Sequence, residues 1–352
     1  MITKRINAMP SIVLLICFWF SHETIHTVSA FQFGLPLKHS IQKSNNIFGF
    51  NVDKRSIRRN SELQSSEEEY GVGMDQNDMM ETDMLIAVDT EDMIIPSDSS
   101  NYLSKKKGHT FNEDTPRGVA HRAFSVFLFN SQNKMLLTRR ATSKITFPGV
   151  WTNTCCSHPL YNMKPDEVDD CSKPGVFPNF PGIKHAAIRK LQHELGISPK
   201  EVPHDNFRFL IRFHYWASDT ITYGEDAPWG EHEVDYVLFI KHPTETGPSL
   251  NINDEEVEEF KYVSIDELKA MMYNTDPEND TSDLLWSPWF KGIMEQKGFE
   301  MWENLEESMK VDSKYISKEI PFFDPPKEHQ AEYNLQTHDK YTGVLNPNSL
   351  IS

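Results

Sequence analysis

Along the middle of the chain, apolar positions repeat with two distinct periods. Ala123 to Phe129 is an almost unbroken apolar run and Lys134 to Thr138 a second strand-like one. Asn130-Ser131-Gln132-Asn133 between them supplies turn residues, which predicts a hairpin. Phe207 to Trp216 and Val234 to Ile240 read as further strands, and Leu85 to Val88 as the first. From Lys184 to Leu195 the period becomes helical: Ala187, Ile188, Leu191 and Leu195 share one face, and Gly196 is a natural stop. Ser264-Ile265-Asp266-Glu267 is a capping box opening a helix from Ile265 to about Met272. Pro288 suits the first turn of a closing helix, Trp289 to about Glu303. Strands and helices mix without regular βαβ alternation. The expected fold class is therefore α+β, a mixed sheet sandwiched between helices.

This pattern covers about Leu85 to Leu305 of 352 residues, and the ends differ from it. Residues 1–30 read as a signal peptide: Lys4 and Arg5, an apolar run from Ser11 to Phe20 too short to span a bilayer, then Val28-Ser29-Ala30 as a small-residue cleavage site. Residues 31–60 carry Lys38, Lys43, Lys54, Arg55, Arg58 and Arg59 against one acid, Asp53, which is transit-peptide composition. Together they resemble the bipartite plastid presequences of algae with secondary plastids; plain secretion or residence in the endoplasmic reticulum is the alternative. Residues 61–84 read as an acidic linker and 306–352 as a polar surface tail. No stable membrane insertion of the mature protein is expected. The net charge of −17 argues against nucleic acid as a partner, though not against a small anion met by local basic residues. Four cysteines are too few for a disulfide scaffold in a chain this long.

Two stretches carry unusual chemistry. Trp151 to Leu160 contains Cys155, Cys156 and His158, and Trp229 to Tyr236 contains Glu231, His232 and Glu233. Both adjoin strand-like runs, so they can converge on one pocket holding a thiol, an imidazole and two carboxylates, which is equipment for moving protons. On a strand, Glu-x-Glu places both carboxylates on one face and turns His232 away.

The helix before Gly196 resembles the Nudix motif. Gly175, Arg189, Leu191, Glu194, Gly196 and Ile197 fit it, while Pro181, Lys190 and His193 stand where three of its acids belong. A Nudix hydrolase needs those acids to gather divalent cations around a diphosphate. The fold signal therefore survives and the hydrolase signal does not, leaving a Nudix pyrophosphohydrolase as the weaker alternative. A noncatalytic metal-binding module would leave the cysteine and the basic residues unexplained.

Six longer marks resemble type I isopentenyl-diphosphate Δ-isomerases of the Nudix superfamily. They are His121 to Val126, Ile145 to Gly149, Thr152 to Pro159, His193 to Ile197, Trp229 to Glu233 and Ser287-Pro288-Trp289. The resemblance implies a Nudix-like fold and interconversion of isopentenyl and dimethylallyl diphosphate, small homoallylic and allylic substrates. An alkene must gain a proton while the adjacent carbon loses one, by way of a tertiary carbocation. Such a site needs an acid, an opposed base, exclusion of water and something electron-rich beside the cation.

By that resemblance, Cys156 and Glu233 are the two proton-transfer groups. Cys155 is the neighbouring alternative, and Cys156 is preferred for its place two residues before the histidine. His109, His121, His158, Glu231 and Glu233 match the family's metal ligands. A divalent ion there would be Mg²⁺, Mn²⁺ or Zn²⁺, with the imidazoles favouring a transition metal. Glu194, the surviving Nudix acid, would help hold a Mg²⁺ bridging to the diphosphate. Lys105, Arg140 and Lys144 match diphosphate-binding positions, and Ser157 can offer its N–H or hydroxyl. Tyr215 and Trp289 are candidates for the cation's aromatic neighbours, an attraction of about 2 kcal/mol or more in a dry pocket, and the Tyr215 hydroxyl is also a candidate partner for Glu233. Trp151 reads as packing. His185, His193 and His214 match no ligand position. Stretches around Cys171 to Gly182 and Gly224 to Pro228 are longer than the family usually carries.

Overall fold

The computed structural model describes residues 70–95 and 103–335. The expected signal peptide, the transit-like segment, the start of the acidic linker and residues 336–352 lie outside the described residues.

The chain runs through α1 (Gln76–Thr82), β1 (Met84–Leu85), β2 (Leu103–Ser104) and α2 (Lys105–His109) into β3 (His121–Phe129), β4 (Met135–Arg140), β5 (Trp151–Thr152) and β6 (Cys155–Ser157). The long helix α3 (Pro181–Leu195) then precedes β7 (Arg208–Ser218), β8 (Gly230–Lys241), β9 (Val257–Val263), α4 (Ile265–Tyr273), α5 (Pro288–Ile293), α6 (Phe299–Glu303) and β10 (Phe322–Phe323). The main sheet has the order β10-β7-β8-β3-β4-β5, with β6 also paired to β3 and β9 to β4. β3 and β8 run parallel, from His121↔Glu233 to Phe129↔Lys241; β7 and β8 are antiparallel. The expected hairpin forms between β3 and β4, closing at Phe129↔Met135.

Every residue of β3 is buried, as suits a central strand covered on both faces. Alternate positions serve two cores. Phe127, Phe129, Val237 and Phe239 pack with Trp289, Phe290, Ile293 and Trp302 of the closing helices. Phe124, Val126, Leu128, Val234, Tyr236 and Leu238 pack with Ile183, Ala186, Ala187 and Leu191 of α3. The sheet is thus sandwiched between helices, as the pattern predicts. Helix α3 begins with Pro181 in its first turn and stops at Gly196 (φ 64°), where the Gly196 and Ile197 amides reach the carbonyls of Gln192 and Leu191. The capping box at Ser264 and Glu267 forms at the head of α4. The closing helix is not uniform: one π turn, Met294–Gly298, separates α5 from α6.

Three expectations need correction. Leu85 to Val88 is only partly a strand, since Ala87 and Val88 make isolated bridges to His121 and Ile94. The acidic linker is structured from Tyr70 on: Asp75 caps α1, whose Met79 and Met80 are buried. The tail from 306 to 335 is no loose surface segment, because β10 pairs in parallel with β7 and Phe323, His329 and Ala331 are buried. Apolar residues spaced too sparsely to show a period are what hid it. Among the described residues, no helix is long and apolar enough to cross a membrane.

A buried ionic knot unforeseen in the sequence ties an early turn to three strands. Asp92 is fully buried at positive φ, 64°. Its carboxylate accepts from Arg122 Nε and Arg212 Nη1, each at 2.7 Å, and from the Tyr236 hydroxyl. Removing one partner of such a cluster strands the remaining charges in low dielectric. Asp92→Ala is therefore expected to lose about 3–5 kcal/mol of stability, read as a lower midpoint in urea unfolding. An unchanged midpoint would show that the knot contributes nothing.

Candidate active site and metal centre

The strand register builds the site. Tyr215 on β7 stands opposite Glu233 on β8, which stands opposite His121 on β3, so three neighbouring strands place one row of side chains on one face. Glu231 follows two residues earlier on the same face of β8. β6 lies on β3 as well, with Cys156 opposite Ser125 and Ser157 opposite Phe124. His109 ends the short helix α2.

The potential ligand atoms of His109, His121, His158, Glu231 and Glu233 all lie within 4.8 Å of one another, and all five residues are buried. His109 Nε2 lies 2.8 Å from Glu231 Oε2, and His158 Nε2 lies 2.8 Å from Glu233 Oε1. Two ring orientations are fixed from outside the cluster. His109 Nδ1 lies 2.7 Å from the Lys105 carbonyl, and His121 Nδ1 lies 2.6 Å from that of Val119. With Nδ1–H donating to Val119, the His121 Nε2 lone pair faces the cluster. His109 Nε2, His121 Nε2 and Glu231 Oε2 are buried without a hydrogen-bond partner. Convergent imidazole nitrogens and carboxylate oxygens, three of them buried without a hydrogen-bond partner, are what a divalent cation requires, so the donor set fits a metal.

Electrostatics point the same way. Burial would push the Glu231 carboxyl up, but His109, then His121 and Arg140, outweigh it and hold it at about 2. Burial, and next the charges of Glu231 and Asp235, drive Glu233 well above the usual carboxylate range. Burial and the neighbouring His109 push His121 down to about 3, and burial also lowers His158, so both rings are neutral. Asp235, hydrogen-bonded by Ser125 at 2.7 Å, is raised by burial to about 7.

A cleft opens beside this cluster. It is lined by twelve of the thirteen residues singled out from the sequence (Lys105, His109, Arg140, Lys144, Cys156, Ser157, His158, Glu194, Tyr215, Glu231, Glu233 and Trp289), and the thirteenth, His121, is buried within the His/Glu cluster. Cys156 packs beside the core of the closing helices, whereas Cys155 is turned into the core under α3. Burial, only partly offset by Arg140, raises the Cys156 thiol to about 12, so it carries its proton. Arg140 Nη1 lies 3.8 Å from its sulfur. The Tyr215 hydroxyl donates to Glu233. His232 is turned to the other face, where its Nε2 lies 2.8 Å from that of His214.

The basic residues are less free than the sequence suggests. Arg140 donates to the carbonyls of Thr146 (2.7 Å) and Phe147 (2.9 Å), and its guanidinium lies 5.5 Å over the Trp289 ring. One face of that indole is therefore already taken by a cation. Lys144 is bonded to Glu256, and Lys105 lies 4.0 Å from Asp83. Burial, partly offset by Asp83 and reinforced by the charges of Lys144 and Lys190, lowers Lys105, which marks a positive cluster that an anion would relieve.

Several contributors were missed. Lys190, read only as a lost Nudix acid, lines the cleft and pairs with Glu194 at 3.2 Å and Glu256 at 3.6 Å. Glu256 is buried, and its place in an acidic run hid it. Thr146 donates to Glu231 at 3.1 Å, and Gln76 and Met80 of α1 line the cleft mouth. Only Thr146 sits inside a mark that could have flagged it.

A Nudix domain profile matches residues 119–283. Isopentenyl-diphosphate delta-isomerase of Schizosaccharomyces pombe is 40% identical over 262 residues, covering 73% of this chain and 99% of the relative. The Gibberella zeae isopentenyl-diphosphate delta-isomerase is 44% identical over 216 residues, 61% of this chain and 75% of the relative. Isopentenyl-diphosphate Delta-isomerase II, chloroplastic, of Arabidopsis thaliana is 40% identical over 243 residues, 68% and 76%.

The cluster geometry predicts that His158→Ala lowers bound divalent metal per chain, measured by elemental analysis of protein loaded and then desalted. Unchanged stoichiometry would contradict a ligand role for His158.

Proposed function

This chain belongs to the type I isopentenyl-diphosphate Δ-isomerases of the Nudix superfamily and interconverts isopentenyl and dimethylallyl diphosphate, and from that premise we propose that Cys156 and Glu233 are its two proton-transfer groups. The observation that carries this reading is that both line one cleft from strands on either side of β3, β6 and β8, beside the His/Glu cluster. One group adds a proton to the terminal methylene carbon, and the double bond's electron pair forms the new C–H bond, leaving a tertiary cation. The other removes a proton from the adjacent methylene carbon, and that C–H pair becomes the new double bond. The acid ends deprotonated and the base protonated, so a proton returns between them before the next turnover. Tyr215, bonded to Glu233, orients the carboxylate, and Arg140 stands beside the sulfur. Buried Tyr215 and Trp289 wall the five-carbon chain away from water.

His109, His121, His158, Glu231 and Glu233 would hold a divalent metal, which would supply positive charge beside both carboxylates; the three imidazoles favour a transition metal over Mg²⁺ there. Glu194 would hold Mg²⁺ against the diphosphate, with Lys105, Arg140, Lys144 and the Ser157 N–H or hydroxyl as its other partners. Hydrolysis is disfavoured because Lys190 and His193 replace the carboxylates that would activate water, and Lys190 pairs with the one acid that remains. In this reading the partner is a small diphosphate and not nucleic acid.

Cys156→Ala and Glu233→Gln should each lower kcat by about 10²–10⁴-fold, followed by NMR of isopentenyl diphosphate with phosphate release assayed in parallel. Near-normal turnover in either variant would remove that residue from the mechanism, and rapid phosphate release by the unaltered enzyme would favour hydrolysis.

We further propose that residues 1–60 deliver the protein to a plastid. The support is compositional: a signal-like segment ahead of a basic, acid-poor one. A fluorescent protein carrying residues 1–60, expressed in an alga with secondary plastids, should accumulate in the plastid; retention in the endoplasmic reticulum or secretion would overturn the assignment.

A further inference from the structure

The C-terminal segment packs against the reaction site through the ring of Phe323. β10 pairs in parallel with β7 through Phe322↔His214 and Phe323↔Tyr215, and the His214 amide bonds to the Pro321 carbonyl at 2.9 Å. Phe323 therefore extends the row of Tyr215, Glu233 and His121 across the sheet. Its ring lies parallel to that of Tyr215, 1° between planes and 5.3 Å between centroids, and the Tyr215 hydroxyl donates to Glu233. On another side Phe323 rests on α5 at Gly292, where a Cβ would come within 2.3 Å of the phenyl ring. Beyond β10 the segment is fastened again. The Tyr333 hydroxyl donates to the Ala227 carbonyl at 2.6 Å, and the Ser218 hydroxyl to Asn334 Oδ1 at 2.9 Å. Ala227 precedes β8 and Ser218 ends β7, so these ties hold the segment to the strands that carry Glu233 and Tyr215.

We propose that Phe323 is a positioning residue for the isomerisation: it fixes the plane of Tyr215 so that the phenol meets the Glu233 carboxylate, and residues 321–334 complete the catalytic face. This rests on the reading of Glu233 as a proton-transfer group. Phe323 does not line the substrate cleft and lies outside the His/Glu cluster. Of the two aromatic rings it packs on, Phe213 and Tyr215, only Tyr215 lines the cleft, so its effect belongs in turnover, not in substrate affinity. Gly292 is part of the same device, since only a residue without a side chain leaves room for the ring.

The test is a double-mutant cycle at Phe323 and Gly292 in the full chain, with steady-state kinetics on isopentenyl diphosphate and a melting curve for each variant. Phe323→Ala should lower kcat about tenfold with KM changed less than about twofold. Gly292→Ala, which pushes on the ring from the helix side without touching Tyr215 or Glu233, should also lower kcat. In the double variant the clash is gone, so its kcat should match Phe323→Ala alone. Normal kcat in Phe323→Ala, a loss confined to KM, or strictly additive losses would overturn the proposal. Should Phe323→Ala fail to fold, Gly292→Ala decides the matter by whether kcat falls at unchanged KM. Glu233→Gln run alongside separates the two readings. If that variant is active, the assignment of Glu233 fails; if it is inactive while Phe323→Ala turns over normally, only the role of Phe323 fails.

Discussion

Two carboxylates two residues apart on one buried strand face dictate the rest of the site. Glu231 and Glu233 lie together in low dielectric with Asp235 two residues further on. At an effective dielectric near 20, two like charges 4 Å apart repel by about 4 kcal/mol. The protein answers by splitting them: Glu231 is held ionised by His109, while Glu233 is driven up and hydrogen-bonded by Tyr215. The imidazoles of His121 and His158, kept neutral by burial, complete the cluster. Such an arrangement is compatible with a divalent cation among its members.

The sheet positions Tyr215, Glu231, Glu233 and His121, and helix α2 and the residue after β6 add His109 and His158. Parallel pairing of β3 with β8 sets His121 against Glu233, and antiparallel pairing of β7 sets Tyr215 there too. A slip of one residue in either register would turn its share of the row to the opposite face. The His214 and His232 pair occupies that opposite face, so the alternation that gathers one set of imidazoles sends the other away.

Much of this was legible in the sequence, for stated reasons. Long apolar runs and a capped helix announce the sheet, α3 and α4, because burial and capping leave periodic traces. The Glu-x-Glu spacing predicts a shared face, and strand alternation sets Cys156 on the cleft and Cys155 in the core under α3. The family resemblance supplied the ligand and cleft residues, which periodicity alone does not mark. What escaped had no periodic signature. Asp92, Arg122 and Arg212 are buried charges that meet only in three dimensions. Glu256 lies in a run of exposed acids, and Phe323 sits in a proline-rich tail whose two-residue strand is too short to show a period. Lys190 was read as a loss to one motif when it is also a gain to the cleft.

The account's centre is that Cys156 and Glu233 address one five-carbon chain from two sides while the cations at the far end of the cleft hold the diphosphate. A crystal structure of the enzyme with a divalent metal and a non-reacting isopentenyl diphosphate analogue tests this most directly. The account predicts the hydrocarbon chain between the Cys156 sulfur and the Glu233 carboxylate, with the diphosphate toward Lys105, Lys144 and Lys190. An analogue seated with its hydrocarbon away from either group, or a metal held elsewhere than the His/Glu cluster, would contradict it.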